Sequence, residues 1–214
     1  MILSILLATG SVAFLLTIGQ GSIQQYFIAF ASILFIVAMV GLYRFFTPEE
    51  ERPQADKVKL LDTGFNLNQT IVMFSLFFLS SGAYGIYSIA NIMTWQLLFI
   101  IFTGTYLSSF YLTKINFIKS QELELHLDYY KNRSFNFYSF LLALLMIELA
   151  WVTIFLPINH LTFGAIVLII FFSYWNIIKS YLRSELTRRK FIIDLAFMFA
   201  GLIAIISTSN LYIN

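Results

Sequence analysis

The sequence predicts an all-α fold: a polytopic transmembrane bundle of seven spans, made of three helical hairpins and a closing helix. Three observations predict it. Seven mostly apolar stretches lie at about residues 2–19, 24–46, 69–90, 94–113, 135–156, 161–182 and 190–212. Each is long enough to cross about 30 Å of hydrocarbon as a helix rising about 1.5 Å per residue. All thirteen Lys and Arg residues fall in three short segments, near the ends of spans 2, 4 and 6 and in the connections that follow them. Finally, 59% of the residues are hydrophobic and only 11% are charged. A soluble domain carries roughly 25% charged residues, so this chain could not cover a water-facing surface. The mean hydropathy is +0.82.

Span 1 reads as a retained helix. It lacks the positively charged leader of a signal peptide, and Gly10-Ser11 interrupts its apolar run early. The connection Gln20–Ile23 carries no cation. Span 2 ends near Arg44, and the charged loop 47–68 holds Arg52, Lys57 and Lys59 after the hydrated run Glu49, Glu50 and Glu51. Span 3 is locally thin at Ser81, Gly82 and Gly85, and Asn91–Met93 turns the chain without a cation. Span 4 has Gly104 and Ser108 on one face, followed by the loop 114–134 with Lys114, Lys119, Lys131 and Arg133. Span 5 closes at Pro157–His160, again without Lys or Arg. Span 6 leads through Lys179 into 183–189, where Arg183, Arg188 and Arg189 precede Lys190. Span 7 carries Ala196, Ala200, Ala204 and Thr208, each four apart, which predicts a helix-packing face that a neighbouring backbone can approach closely. That face would serve packing within the bundle or a seam with a second copy or partner.

Thirteen cations on one side and none on the other set the predicted orientation: N-terminus cytoplasmic, C-terminus outside. The loops are too short for a soluble domain, so residues 1–214 are expected to form a single transmembrane domain. Retinal proteins run the opposite way and need a lysine inside the last span, which this one lacks.

Glu148 is the residue most suggestive of chemistry. It sits in Phe140-Leu-Leu-Ala-Leu-Leu-Met-Ile-Glu148-Leu-Ala-Trp151, about 18 Å into a slab of about 30 Å. An acid at that depth costs on the order of 3 kcal/mol and is expected to face the bundle interior. Trp151 lies one turn further along. Thr103, Thr105 and Asn176 are the expected hydrogen-bonding partners, and together these residues make a candidate intramembrane polar site. Asp194 is shallow and sits in the first turns of a helix, where the dipole favours an anion. The alternating segment Gln121-Glu122-Leu123-Glu124-Leu125-His126-Leu127-Asp128 is expected to be a solvated or interfacial loop, and no metal site is predicted from it.

No catalytic constellation can be assembled. The chain has no cysteine, which excludes disulfides, thiolate nucleophiles and Cys-based metal sites. Neither histidine lies in a span, and there is no His-Glu-x-x-His and no Gly-rich phosphate loop. A net charge of +2, with acids interleaved among the bases, is not a nucleic-acid signature. No cofactor is expected.

The C-terminal half has a cadence of its own: Glu148-Leu-Ala-Trp151, then Phe155-Leu-Pro157, then Lys179-Ser-Tyr-Leu-Arg183, Leu186-Thr-Arg-Arg-Lys190 and Ser207-Thr208. Over about residues 135–210 it resembles an uncharacterised family of seven-span bacterial membrane proteins. That resemblance implies seven spans and a bacterial plasma membrane, and no activity. Two functions are expected from the residues. The first is a non-enzymatic subunit or scaffold of a membrane assembly, with the lipid bilayer and a membrane protein or a second copy as partners. The second is a small-solute or ion carrier using Glu148, which would need polar groups to converge on a midplane cavity.

Overall fold

The computed structural model describes residues 2–18, 22–46, 54–122, 129–182 and 186–209. It is all-helical among these residues. Seven helices follow one another: α1 (Ile2–Leu15), α2 (Ser22–Phe46), α3 (Gln54–Ala90), α4 (Thr94–Glu122), α5 (Tyr129–Ile154), α6 (His160–Leu182) and α7 (Arg188–Thr208). Among the described residues, five stretches are long and apolar enough to cross a membrane: Asn66–Ala90, Thr94–Ile115, Asn136–Ile154, His160–Leu182 and Arg188–Thr208. Helix α1 is apolar but shorter, with 14 residues.

The helices do not stop where the apolar runs stop. Helix α3 begins at Gln54, inside the segment expected to be a charged loop, and α4 continues to Glu122. Helix α5 begins at Tyr129. Hydropathy marks where a helix can meet lipid, whereas a helix satisfies its own backbone in water as well and has no reason to end at that boundary. Residues 47–53 and 123–128, including Glu49–Glu51, Glu124, His126 and Asp128, lie outside the described residues.

Local chemistry explains three of the connections. Asn91 takes a left-handed backbone conformation (φ 49°) between α3 and α4, which Asn tolerates better than most residues. Gln96 Oε1 then accepts from the Met93 N–H at 3.2 Å, tying down the start of α4. After Pro157, Asn159 Oδ1 accepts from the Thr162 N–H at 2.7 Å, as an N-cap does for α6. Thr187 caps α7 in the same way through the Lys190 N–H.

Helix α3 is the axle. It packs on α1, α2, α4 and α6. Its contact with α1 is the most intimate, and the two run parallel: Gly10 meets Ser75 and Leu79, Gly82 meets Ala13 and Phe14, and Gly85 meets Thr17. Between α3 and α6 the approach is also close, with Gly164 against Ser81 and Phe77, and the Tyr84 and Phe163 rings stacked at 4.4 Å. The Phe14, Phe27 and Phe78 rings lock α1, α2 and α3 together at centroid distances of 4.7 to 5.3 Å. Helix α5 lies on α4 and α6, and among the described residues α7 rests on α6 alone.

The antiparallel pairings bring the starts of α3 and α7 to the same end as the finishes of α4 and α6. Lys114, Lys179, Arg188, Arg189 and Lys190 therefore gather at one end of the bundle. Lys179 there donates to Gln69 Oε1 on α3 at 3.5 Å.

Candidate functional site

The orientation of α5 decides what Glu148 can do. Small residues recur along one face of this helix: Ser139, Ala143, Ala150 and Thr153, interleaved with Leu142 and Met146. All six are buried. Small side chains let helix backbones approach, so this is the face turned to the bundle. Ser109 on α4 donates to Ser139 across it at 3.2 Å, and Thr153 donates back to the Leu149 and Ala150 carbonyls at 3.0 Å.

Glu148 is two residues from Met146, hence about 200° around the helix. It points away from the bundle and is exposed. Around it on the same face are Phe140, Leu141, Leu144, Trp151, Val152 and Phe155, all exposed. The carboxyl thus interrupts an otherwise continuous apolar stripe. Along the apolar stretch that starts at Asn136, it lies about 18 Å in, out of about 28 Å. Glu148 has no hydrogen bond or ion pair among the described residues.

The expectation that Glu148 faces the interior is therefore not met, and the reason is helical phase. The signal was present in the sequence: the small residues of α5 lie on the face opposite the acid. The expected partners do not converge on it either. Thr105 is fully buried on α4 and donates to its own helix, to the Ile101 carbonyl at 2.7 Å and the Phe102 carbonyl at 3.0 Å. Thr103 is half-buried on the same helix, and Asn176 is half-buried on α6. Tyr138 and Tyr181 set the α5–α6 register, with ring centroids 5.7 Å apart. Glu148 is then level with about residue 171 of α6, so Asn176 lies about 8 Å further toward the basic end. Trp151 alone stays beside the acid, one turn away, with its ring edge-on to Phe155 at 6.0 Å.

The expected packing face of α7 also turns outward. Ala196, Ala200, Ala204 and Thr208 are exposed, and α7 meets α6 through Gly201 against Ile169 and Phe197 against Phe172. Close packing inside the bundle instead uses Gly10, Gly82, Gly85 and Gly164.

Several buried polar atoms have no hydrogen-bond partner among the described residues. Asn68 is fully buried on α3, and among the described residues neither Oδ1 nor Nδ2 has a hydrogen-bond partner. Trp175 Nε1 and Asp194 Oδ2 are likewise buried without partners among the described residues, at matching levels of α6 and α7, although Asp194 was expected to be a shallow acid. Among the described residues, no group of three His, Asp or Glu side chains could hold a metal ion.

Comparisons with protein families, with curated proteins and with solved structures found no match for this chain. A carboxyl on the outer face at this depth has no cavity walls of its own. In hydrocarbon it pays on the order of 3 kcal/mol unless another molecule covers it.

Proposed function

We propose that this chain is a multi-pass integral membrane protein that works as a non-enzymatic subunit of a larger membrane assembly. It crosses the bilayer seven times, with its N-terminus and charged segments cytoplasmic, and belongs in a bacterial plasma membrane. The single observation that carries the reading is the outward position of Glu148 at mid-depth. An acid that is costly against lipid and inexpensive against a partner marks a face built to be covered. The exposed apolar surface of α5 on either side of it fits a helix of another protein lying alongside. A carrier needs its polar groups to converge between helices. Glu148, Thr105 and Asn176 are turned to different surroundings, so the subunit reading is preferred.

The test is extraction of the tagged protein at native expression in mild detergent, followed by size measurement and mass spectrometry. The expected result is a species well above the 24.7 kDa of the single chain, with one stoichiometric protein partner. A solitary chain that is stabilised by a solute or ion would overturn the proposal.

A further inference from the structure

We infer that the outer face of α5 takes a transmembrane helix of a different protein, and that this helix carries a Lys or Arg at mid-depth that pairs with Glu148. The inference rests on the subunit reading and names the partner's chemistry.

The occupant must answer a carboxyl that has no hydrogen bond or ion pair among the described residues. This chain cannot supply the answer. Its thirteen Lys and Arg residues all lie at the span ends or between the spans. The cation nearest in height among the described helices adjoining α5 is Lys179. In the register set by Tyr138 and Tyr181 it lies about 12 Å nearer the basic end than Glu148. A second copy fares no better. Copies in one membrane share one orientation, so a second chain offers no cation at that depth. A twofold contact through α5 would set one Glu148 against another, and like charges oppose such a contact.

Trp151 supplies the second observation. It is half exposed (51%) one turn from Glu148, on the same face. An indole face attracts Lys or Arg more strongly than any other side-chain ring. An acid and an exposed indole side by side therefore suit a cation, whereas neutral hydroxyl chemistry would have no use for the ring. Leu144 and Val152 flank the pair above and below with apolar surface, as a single crossing helix requires.

The test places a photoreactive benzoylphenylalanine in place of Leu144, and separately in place of Val152, in the full chain in its native membrane. After illumination the adducts are isolated and their peptides sequenced. The expected result is one adduct with another protein, on an apolar segment bearing Lys or Arg within two turns of its centre. Glu148→Gln should lower its yield at least about tenfold. Exchanging the charges, Glu148→Lys with Glu at the partner's cation, should restore the yield. An adduct with a segment lacking Lys or Arg, or with a second copy of this chain, would overturn the inference and leave the subunit reading standing. Adducts with lipid alone would overturn both.

Discussion

Gly82 is where the closest helix crossing can be tested. A Cβ there would stand 2.5 Å from the Phe14 nitrogen and 2.6 Å from the Ala13 carbonyl carbon. Both obstacles are backbone and cannot rotate away. Comfortable contact begins at about 3.5 Å, so α1 must retreat from α3 by about 1 Å. A gap of that size forfeits roughly a quarter to a half of the attraction across it. Leu3, Leu7 and Phe14 are buried in this part of the core. Overpacking costs about 1–3 kcal/mol, and the better helix preference of Val over Gly returns about 0.3 kcal/mol. Gly82→Val should therefore loosen α1 by about 2 kcal/mol, or about 30-fold in the undocked population. The chain has no cysteine, so Leu7→Cys, at a position 1% exposed, makes a clean reporter. Maleimide labelling in detergent should run about 30-fold faster when Gly82→Val is added. Gly104→Val is the control. Its Cβ meets chiefly a terminal methyl of Leu79, which can swing aside, and labelling should stay close to the parent rate. Equal rates for Gly82→Val and its parent would refute the reasoning.

Other outcomes follow from the same geometry. Removing the Ser109–Ser139 hydrogen bond by Ser109→Ala, Ser139→Ala and the double change should give a coupling energy of about 0.6 kcal/mol in a denaturation cycle; no coupling would dismiss that bond. Asn68→Leu should raise the thermal midpoint, because a fully buried amide without partners costs about 1–3 kcal/mol. A lower midpoint would mean that the amide is satisfied. Ala200→Leu and Glu148→Gln both change exposed positions and should each shift the unfolding of the isolated chain by less than about 0.5 kcal/mol. A larger loss in either would place that side chain inside the bundle.

The helical architecture was legible because lipid imposes a length and a composition that a reader can count. Each of the seven apolar runs became a helix, with ends mostly within a few residues of expectation. The long helical extensions at the basic end were not legible. Asp56, Lys57 and Lys59 look like loop by hydropathy, yet α3 runs through them, because helical hydrogen bonding is indifferent to the solvent. The depth of Glu148 followed from counting residues. Its direction did not, because facing depends on which neighbour claims which side of the helix. For α5 the small residues Ser139, Ala143 and Ala150 mark the buried face, a cue that the expectation of an inward Glu148 ran against. For α7 the same cue misleads: Ala196, Ala200 and Ala204 are small but face outward, and Gly201 makes the contact. Small residues permit close packing without demanding it. Which stripe is used depends on the partner surfaces, and those are assembled from the rest of the chain.

The parallel pairing of α1 with α3 has a consequence for how the chain is made. Helix α1 spans about 21 Å, well short of a hydrocarbon layer of about 30 Å. Its best-fitting neighbour is formed by residues synthesised nearly seventy positions later. Of these seven helices, the one made before the others is therefore the least able to settle alone. It must wait beside α2 until Ser75, Gly82 and Gly85 arrive to receive it. A stall in synthesis before residue 90 would leave α1 without its seat and open to quality-control proteases in the membrane.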